Sequence, residues 1–283
     1  MKFRNVVISS FAYHLPENIM TSEEIEDRLA PVYQRLKLPG GRIELMTGIR
    51  ERRFWPPGTM PSDLSTQAAR NLFKKNIVKP EQIDLLIHAS VCRDYLEPST
   101  SSIVHHNLDL RTEIMFFDLS NACLGMLSSF VVAANMIDNG LIQHALIVSG
   151  ENGGPLLLQT IEHLLNEKDI TRKSIKKYIA NLTIGSAAVA YTLSHRDRVD
   201  GGHLLLGGAS LVDSSANVLC RGGGDTKSLM METDSEELMK SGVALAEKTW
   251  AETKKELGWT NDDVDCFVGH QVGVAHETLL KQT

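Results

Sequence analysis

The chain has 283 residues, 42% of them hydrophobic and 23% charged, with a net charge of −6. This is the composition of a globular protein with enough chain for one large or two smaller cores. The acidic balance excludes general attraction to nucleic acid or anionic membrane, and no stretch is long enough to span a bilayer.

The apolar part of the opening Met1–Ile8 is too short for a signal peptide. Cys92, Cys123, Cys220 and Cys266 stand far apart with no CxxC pair. That spacing argues against a structural metal site or a disulfide framework and for a reducing, cytoplasmic setting.

Strands alternate with helices along the chain. A helix through Leu64–Lys75 precedes a strand over Ile83–Ala89. Ile114–Leu119 reads as a buried strand that breaks at Ser120-Asn121-Ala122, and an apolar helical pattern runs from Leu124 to Ala134. With the strand Ala145–Ser149 these form a βαβ unit. Continuous apolar strands of this kind predict a parallel sheet covered on both faces. Glu151–Asn181 interrupts the rhythm as a helical insertion with an apolar face, either packed on the body or lying over an acyl pocket. Further strands are expected at Ala187–Leu193 and Leu204–Ala209, and a long helix over Ser235–Leu257.

One internal echo links two stretches. Residues 78–87 and 258–268 both read as an acidic turn, then Ile/Val-Asp, then an apolar strand, each following a helix. The echo predicts two related halves and puts His270 just past the end of a second-half strand. Sites in such sheets form at the carboxyl ends of strands.

Cys123 carries the chemistry. A thiol at a strand-to-helix junction meets the partial positive charge and unpaired N–H groups of a helix start. That setting favours the thiolate, which attacks carbonyl carbon. The alternative is a buried cysteine packed as a small hydrophobe.

Four blocks occur in order: Thr47-Gly48-Ile49-Arg50-Glu51-Arg52-Arg53, Asp118-Leu119-Ser120-Asn121-Ala122-Cys123-Leu124-Gly125, Leu182-Thr183-Ile184-Gly185-Ser186-Ala187-Ala188, and Gly269-His270-Gln271. With them the chain resembles, over nearly its whole length, the β-ketoacyl-acyl-carrier-protein synthase III family of the thiolase superfamily. The resemblance implies a thiolase-like duplicated αβαβα layered α/β fold working as a homodimer. Its first half would span 1–200, with the helical insertion at about 151–181, and its second half 201–283.

The resemblance also implies the site. Cys123 would accept an acyl group from a thioester of coenzyme A or acyl-carrier protein, and His270 would hydrogen-bond a thioester oxygen as a carbanion forms. Tyr95-Leu96-Glu97-Pro98-Ser99 precedes the cysteine as in the head-to-head acyl-CoA condensing thiolases of olefin synthesis. There the matching glutamate serves as base in the neighbouring subunit, so Glu97 takes that place here; otherwise it is a solvated loop carboxylate. No metal or redox cofactor is implied, since the coenzyme is the substrate's carrier.

Two departures are plain. The tryptophan that stacks on adenine in fatty-acid-initiating synthases has no aromatic counterpart in Gly41–Met46, which favours a second acyl-CoA over a malonyl donor. The run Arg50, Arg52, Arg53 reads as a solvated face or a contact for a phosphorylated carrier. The family's Gly-Asn-Thr motif has no counterpart between His270 and Thr283, and the second half is short of its closing strands. The expectation is a chain cut short. A remainder supplied by another polypeptide, or a non-catalytic acyl-binding or partner subunit, are the alternatives. A thioester hydrolase using Cys123 would need no carbon–carbon bond formation.

Overall fold

The computed structural model describes residues 1–223, 229–271 and 273–282. Contacts divide the chain into two compact units, each built from separated stretches. The first holds Met1–Glu17, Trp55–Asn152 and Ser186–Gly207; the second holds Asn18–Phe54, Gly153–Gly185 and Gly208–Thr283. This division differs from a single boundary near residue 200, because the Thr47–Arg53 block and the helical insertion both pack with the C-terminal stretch.

Strand β1 (Val6–His14) opens the first unit. The chain then enters the second unit with β2 (Asn18–Thr21), α1 (Ser22–Arg28), α2 (Ala30–Leu36), α3 (Arg42–Thr47) and β3 (Glu51–Phe54). It returns to the first for α4 (Pro61–Phe73), β4 (Leu85–His88), α5 (Thr100–Asn107), β5 (Met115–Asp118), α6 (Gly125–Asp138) and β6 (His144–Glu151). Helix α7 (Gly154–Asn166) belongs to the second unit, and β7 (Ala187–His195) and β8 (His203–Leu204) to the first. The second unit closes with β9 (Cys220–Gly223), β10 (Met230–Thr233), α8 (Ser235–Leu257) and α9 (Val274–Leu280).

The first unit is a six-stranded sheet in the order β5-β4-β6-β7-β1-β8. The βαβ expectation holds for β5-α6-β6, since β4 is parallel to both β5 and β6. The sheet as a whole is mixed rather than parallel: β6–β7, β7–β1 and β1–β8 are antiparallel. Alternation along the strands then sorts side chains between two covering layers. On β4, Leu86 packs in the cluster that includes Leu64, Ala68 and Leu72 of α4. Its neighbours Leu85 and Ile87 join Phe130, Ala133 and Ile137 of α6. Burying each such side chain contributes on the order of 1.5–3 kcal/mol.

Two strand expectations are corrected. Strand β5 is not buried; it is the sheet edge, with Met115 and Phe116 53% and 41% exposed. An apolar run reports the residues' preference, and the missing neighbour strand leaves that preference unmet. The strand at Leu204–Ala209 shrinks to His203–Leu204. Gly207, at φ 115° with no room for a Cβ beside the Met1 carbonyl, carries the chain out of extended geometry.

The second unit has its own core, in which Ile25, Leu29 and Ile43 meet Leu157, Ile161 and Leu164. The predicted insertion is therefore helical and packed: the apolar face of α7 belongs to that core. Helix α8 spans the predicted residues. Asp234 caps its start by accepting from the Glu237 N–H at 3.2 Å, and Gly258 at φ 74° ends it.

The internal echo holds through the turn and fails at the strand. A short 3₁₀ turn at Pro80–Gln82 leads into β4 in the first copy. In the second, the 3₁₀ turn Asn261–Asp263 leads into residues 264–271 with no strand partner among the described residues. Phe267 and Val268 there are 60% and 80% exposed.

Candidate active site

The carboxyl ends of β4, β5 and β6 gather the reactive groups of the first unit. Cys123 lies beyond β5, where the chain turns sharply before α6. Ala122 sits in left-handed backbone at φ 45°, and the Leu124 and Gly125 N–H groups return to the Asn121 and Ala122 carbonyls at 2.9 and 3.2 Å. Left-handed geometry costs a non-glycine residue about 1–2 kcal/mol, and such strain clusters where a side chain must be presented. The Asn121 amide donates to Ser128 Oγ of α6 at 2.9 Å, tying the turn to the helix. Cys123 itself is exposed, so the reading of it as a packed hydrophobe is excluded.

Glu97 stands on the loop that leaves β4. The loop's roots are ordered by carboxylates. Glu151, ending β6, accepts from the Val91 and Cys92 N–H groups at 2.7 and 3.2 Å. Asp94 accepts from the Ser62 N–H and hydroxyl at 2.9 and 2.5 Å. Beyond these anchors the crest projects outward: Tyr95, Leu96 and Glu97 are exposed.

Beneath the loop lies His88, buried at the end of β4. Burial pushes its imidazole below the ordinary histidine range, while Asp118, Glu151 and Asp94 pull the other way. Cys92 is a different kind of thiol from Cys123: burial, then the Glu151 charge, push it up to about 12. Of the carboxylates in this floor only Asp118 belongs to a motif block, and the blocks gave no sign that the three converge. Its one sequence signal is a histidine inside an otherwise apolar strand.

His270 belongs to the second unit, so the chain places Cys123 and Glu97 in one unit and the histidine in the other. It lies in the loop before α9 and reaches solvent. Partial desolvation, and then the charge of a protonated His276, hold its pKa below the ordinary value. The neutral ring is thereby favoured near neutral pH.

The Thr47–Arg53 block is not a uniformly solvated basic face. Arg50 is exposed, but Arg52 on β3 is 5% exposed and donates to Ser22 Oγ at 3.0 Å. Gly48 at φ 73° provides the turn before it.

Known proteins share this architecture. A family model described as FAE1/Type III polyketide synthase-like protein matches residues 61–158. An acyl-CoA:acyl-CoA alkyltransferase of Xanthomonas campestris is 38% identical over 276 residues, covering 98% of this chain and 80% of that protein. The enzyme of the same name from Shewanella oneidensis is 34% identical over 289 residues, covering 98% and 81%. Crystal structures of Xanthomonas campestris OleA match with a TM-score of 0.94 at 36% identity, over 100% of this chain and 80% of that chain. The OleA structures include a cerulenin-bound form and a cysteine-to-serine form with bound lauric acid and lauroyl-CoA.

A mixed α/β sheet that presents a cysteine at a strand-to-helix turn is the framework of a thiolase-like condensing enzyme. The chain belongs to the acyl-CoA:acyl-CoA alkyltransferase family of those condensing acyltransferases. Among the described residues no helix is long and apolar enough to cross a membrane.

Proposed function

We propose that this chain joins two acyl-CoA molecules head to head by Claisen condensation, with Cys123, His270 and Glu97 as the catalytic groups. The observation that carries the reading is the exposed Cys123 on its strained turn at the start of α6, in a chain of this family. The Cys123 thiolate attacks the first acyl-CoA carbonyl, coenzyme A leaves as thiolate, and an acyl-Cys123 thioester forms. Glu97 removes a Cα proton from the second acyl-CoA, and the neutral His270 N–H donates to the thioester oxygen on which charge collects. The carbanion attacks the acyl-Cys123 carbonyl. A carbon–carbon bond forms, the bond to Cys123 breaks, and a 2-alkyl-3-oxoacyl-CoA departs.

Support for Glu97 comes from spacing. In the Xanthomonas OleA structures that carry single substitutions, the altered glutamate precedes the altered cysteine by the same number of residues as Glu97 precedes Cys123. An exposed Glu97 also suits a base that serves the neighbouring subunit of a homodimer. The exposed apolar edge β5, with Met115 and Phe116, is the surface through which two copies would pair. The substrate's own coenzyme is the carrier, and the chemistry uses no further cofactor.

The test is intact-mass measurement after incubation with lauroyl-CoA. The expected result is a gain of one lauroyl group, absent in Cys123→Ala, followed by release of a condensed thioester. A folded chain that gains no acyl group, or one that gains it equally in Cys123→Ala, overturns the proposal.

A further inference from the structure

We infer that Asp118 is a positioning residue for Glu97: one carboxylate at the end of β5 fixes the loop that carries the base. The inference rests on the reading of Glu97 as that base.

Asp118 is the last residue of β5. Its two oxygens are fully committed to the start of α5: Oδ2 accepts from the Thr100 N–H at 2.8 Å and Oδ1 from the Ser101 N–H at 2.7 Å. These are the first two N–H groups of the helix, which have no partner within it. Charge-assisted bonds to an anion at a helix start are stronger than neutral ones. Thr100 is also fully buried, and its Oγ1 accepts from the Asp94 N–H at 3.2 Å. The stretch 95–99 is thus held at both ends. Asp94 is bonded to Ser62 at the head of α4, and Thr100 is bonded to Asp118.

What lies between those ends is the exposed crest with Glu97. Tyr95 and Leu96 beside it are 56% and 82% exposed. The direction in which Glu97 projects is therefore set by its two roots. Asp118 is the root that also belongs to the strand delivering Cys123, since the chain runs from it through Ala122 to the nucleophile. One side chain thus roots the loop whose glutamate serves the neighbouring subunit. Aspartate is required by the donor count. Asparagine has one acceptor oxygen, so in its place an amide NH₂ would face one of the two helix N–H groups.

The experiment measures condensation from preformed lauroyl-Cys123, so that acylation is already complete, on the full chain. Asp118→Asn is expected to slow this step about tenfold or more, as misplacement of a reacting group does. In a Glu97→Asp background, where the carboxylate is already displaced, Asp118→Asn should add a loss of less than about twofold, because the two act as one unit. An equal loss in both backgrounds would make Asp118 merely structural and overturn the inference, as would no loss in Asp118→Asn alone. If Asp118→Asn does not fold, Ser62→Ala loosens the other root by one hydrogen bond and should show the same dependence on Glu97; its absence overturns the inference equally. Glu97→Gln separates the two readings. Condensation that survives it removes the base, and this inference with it. Condensation lost in Glu97→Gln but untouched by Asp118→Asn and Ser62→Ala leaves the base standing and the positioning role refuted.

Discussion

His88 and Asp118 end adjacent parallel strands with the imidazole Nδ1 3.9 Å from the carboxylate Oδ1. His88 is 1% exposed, and its Nε2 has no hydrogen-bond partner. Asp118 spends its oxygens on α5, so the histidine receives its field without a short bond. Burial outweighs that field, and the folded protein keeps His88 neutral to a lower pH than the unfolded chain does.

That ordering has a stability consequence. Because the folded pKa lies below the unfolded value of about 6.5, the unfolded state binds the proton first as pH falls. Stability contributed by His88 is present above about pH 6.5 and is lost as pH drops toward the lowered folded value. His144, also buried and also shifted down, contributes in the same sense. His88→Asn should flatten the fall in Tm between about pH 6.5 and 5 without removing it. A Tm profile over that range that is unchanged in His88→Asn would refute the assignment.

Catalysis should tolerate mild acid. His270 is held below the ordinary histidine value, first by desolvation and then by His276. The neutral donor therefore persists below about pH 6.5, and the condensation rate should fall only as pH passes through the lowered value. His276→Gln removes the second cause, so the acid limb of the rate profile should move to higher pH. A shift to lower pH, or none, would contradict this account.

The edge strand makes a prediction about assembly. Phe116→Glu places a charge on the exposed apolar face of β5 while leaving its bonds to β4 in place. Light scattering should show a wild-type dimer converted toward monomer, with Tm lowered by only a few degrees. Because Glu97 is proposed to act across that pairing, condensation should fall with dissociation more steeply than Cys123 acylation does. A variant that remains dimeric at micromolar concentration would place the pairing surface elsewhere.

The four cysteines should separate by reactivity. Cys92 is half-enclosed with Sγ bonded to the Asn152 backbone, and its pKa is about 12. Cys123 is exposed on its turn. Timed iodoacetamide labelling near pH 8, read by peptide mass, should modify Cys92 last of the four. Early labelling of Cys92 would mean that its loop opens in solution.

The sequence by itself determined those features whose signals are local. Helix α8 was legible over Ser235–Leu257, because its amphipathic period lies within the element it defines. The β5-α6-β6 unit and Cys123 at its turn were legible for the same reason, as were the helical character of the insertion and the family to which the motif blocks belong; that α7 packs on the body was decided by the fold. Tertiary structure decided whatever depends on a distant partner. The apolar runs at 114–119 and 264–268 look alike in sequence. One pairs with β4 as an exposed edge and the other pairs with no strand among the described residues, because a strand exists only where another strand accepts its hydrogen bonds. Arg52 and Arg50 are two residues apart, yet one is buried and one solvated. The carboxylates of Asp94, Asp118 and Glu151 read as surface charges until the fold brings them to backbone N–H groups 17 to 60 residues away. A buried donor needs an acceptor wherever the chain can supply one, and that requirement is met in space rather than along the sequence.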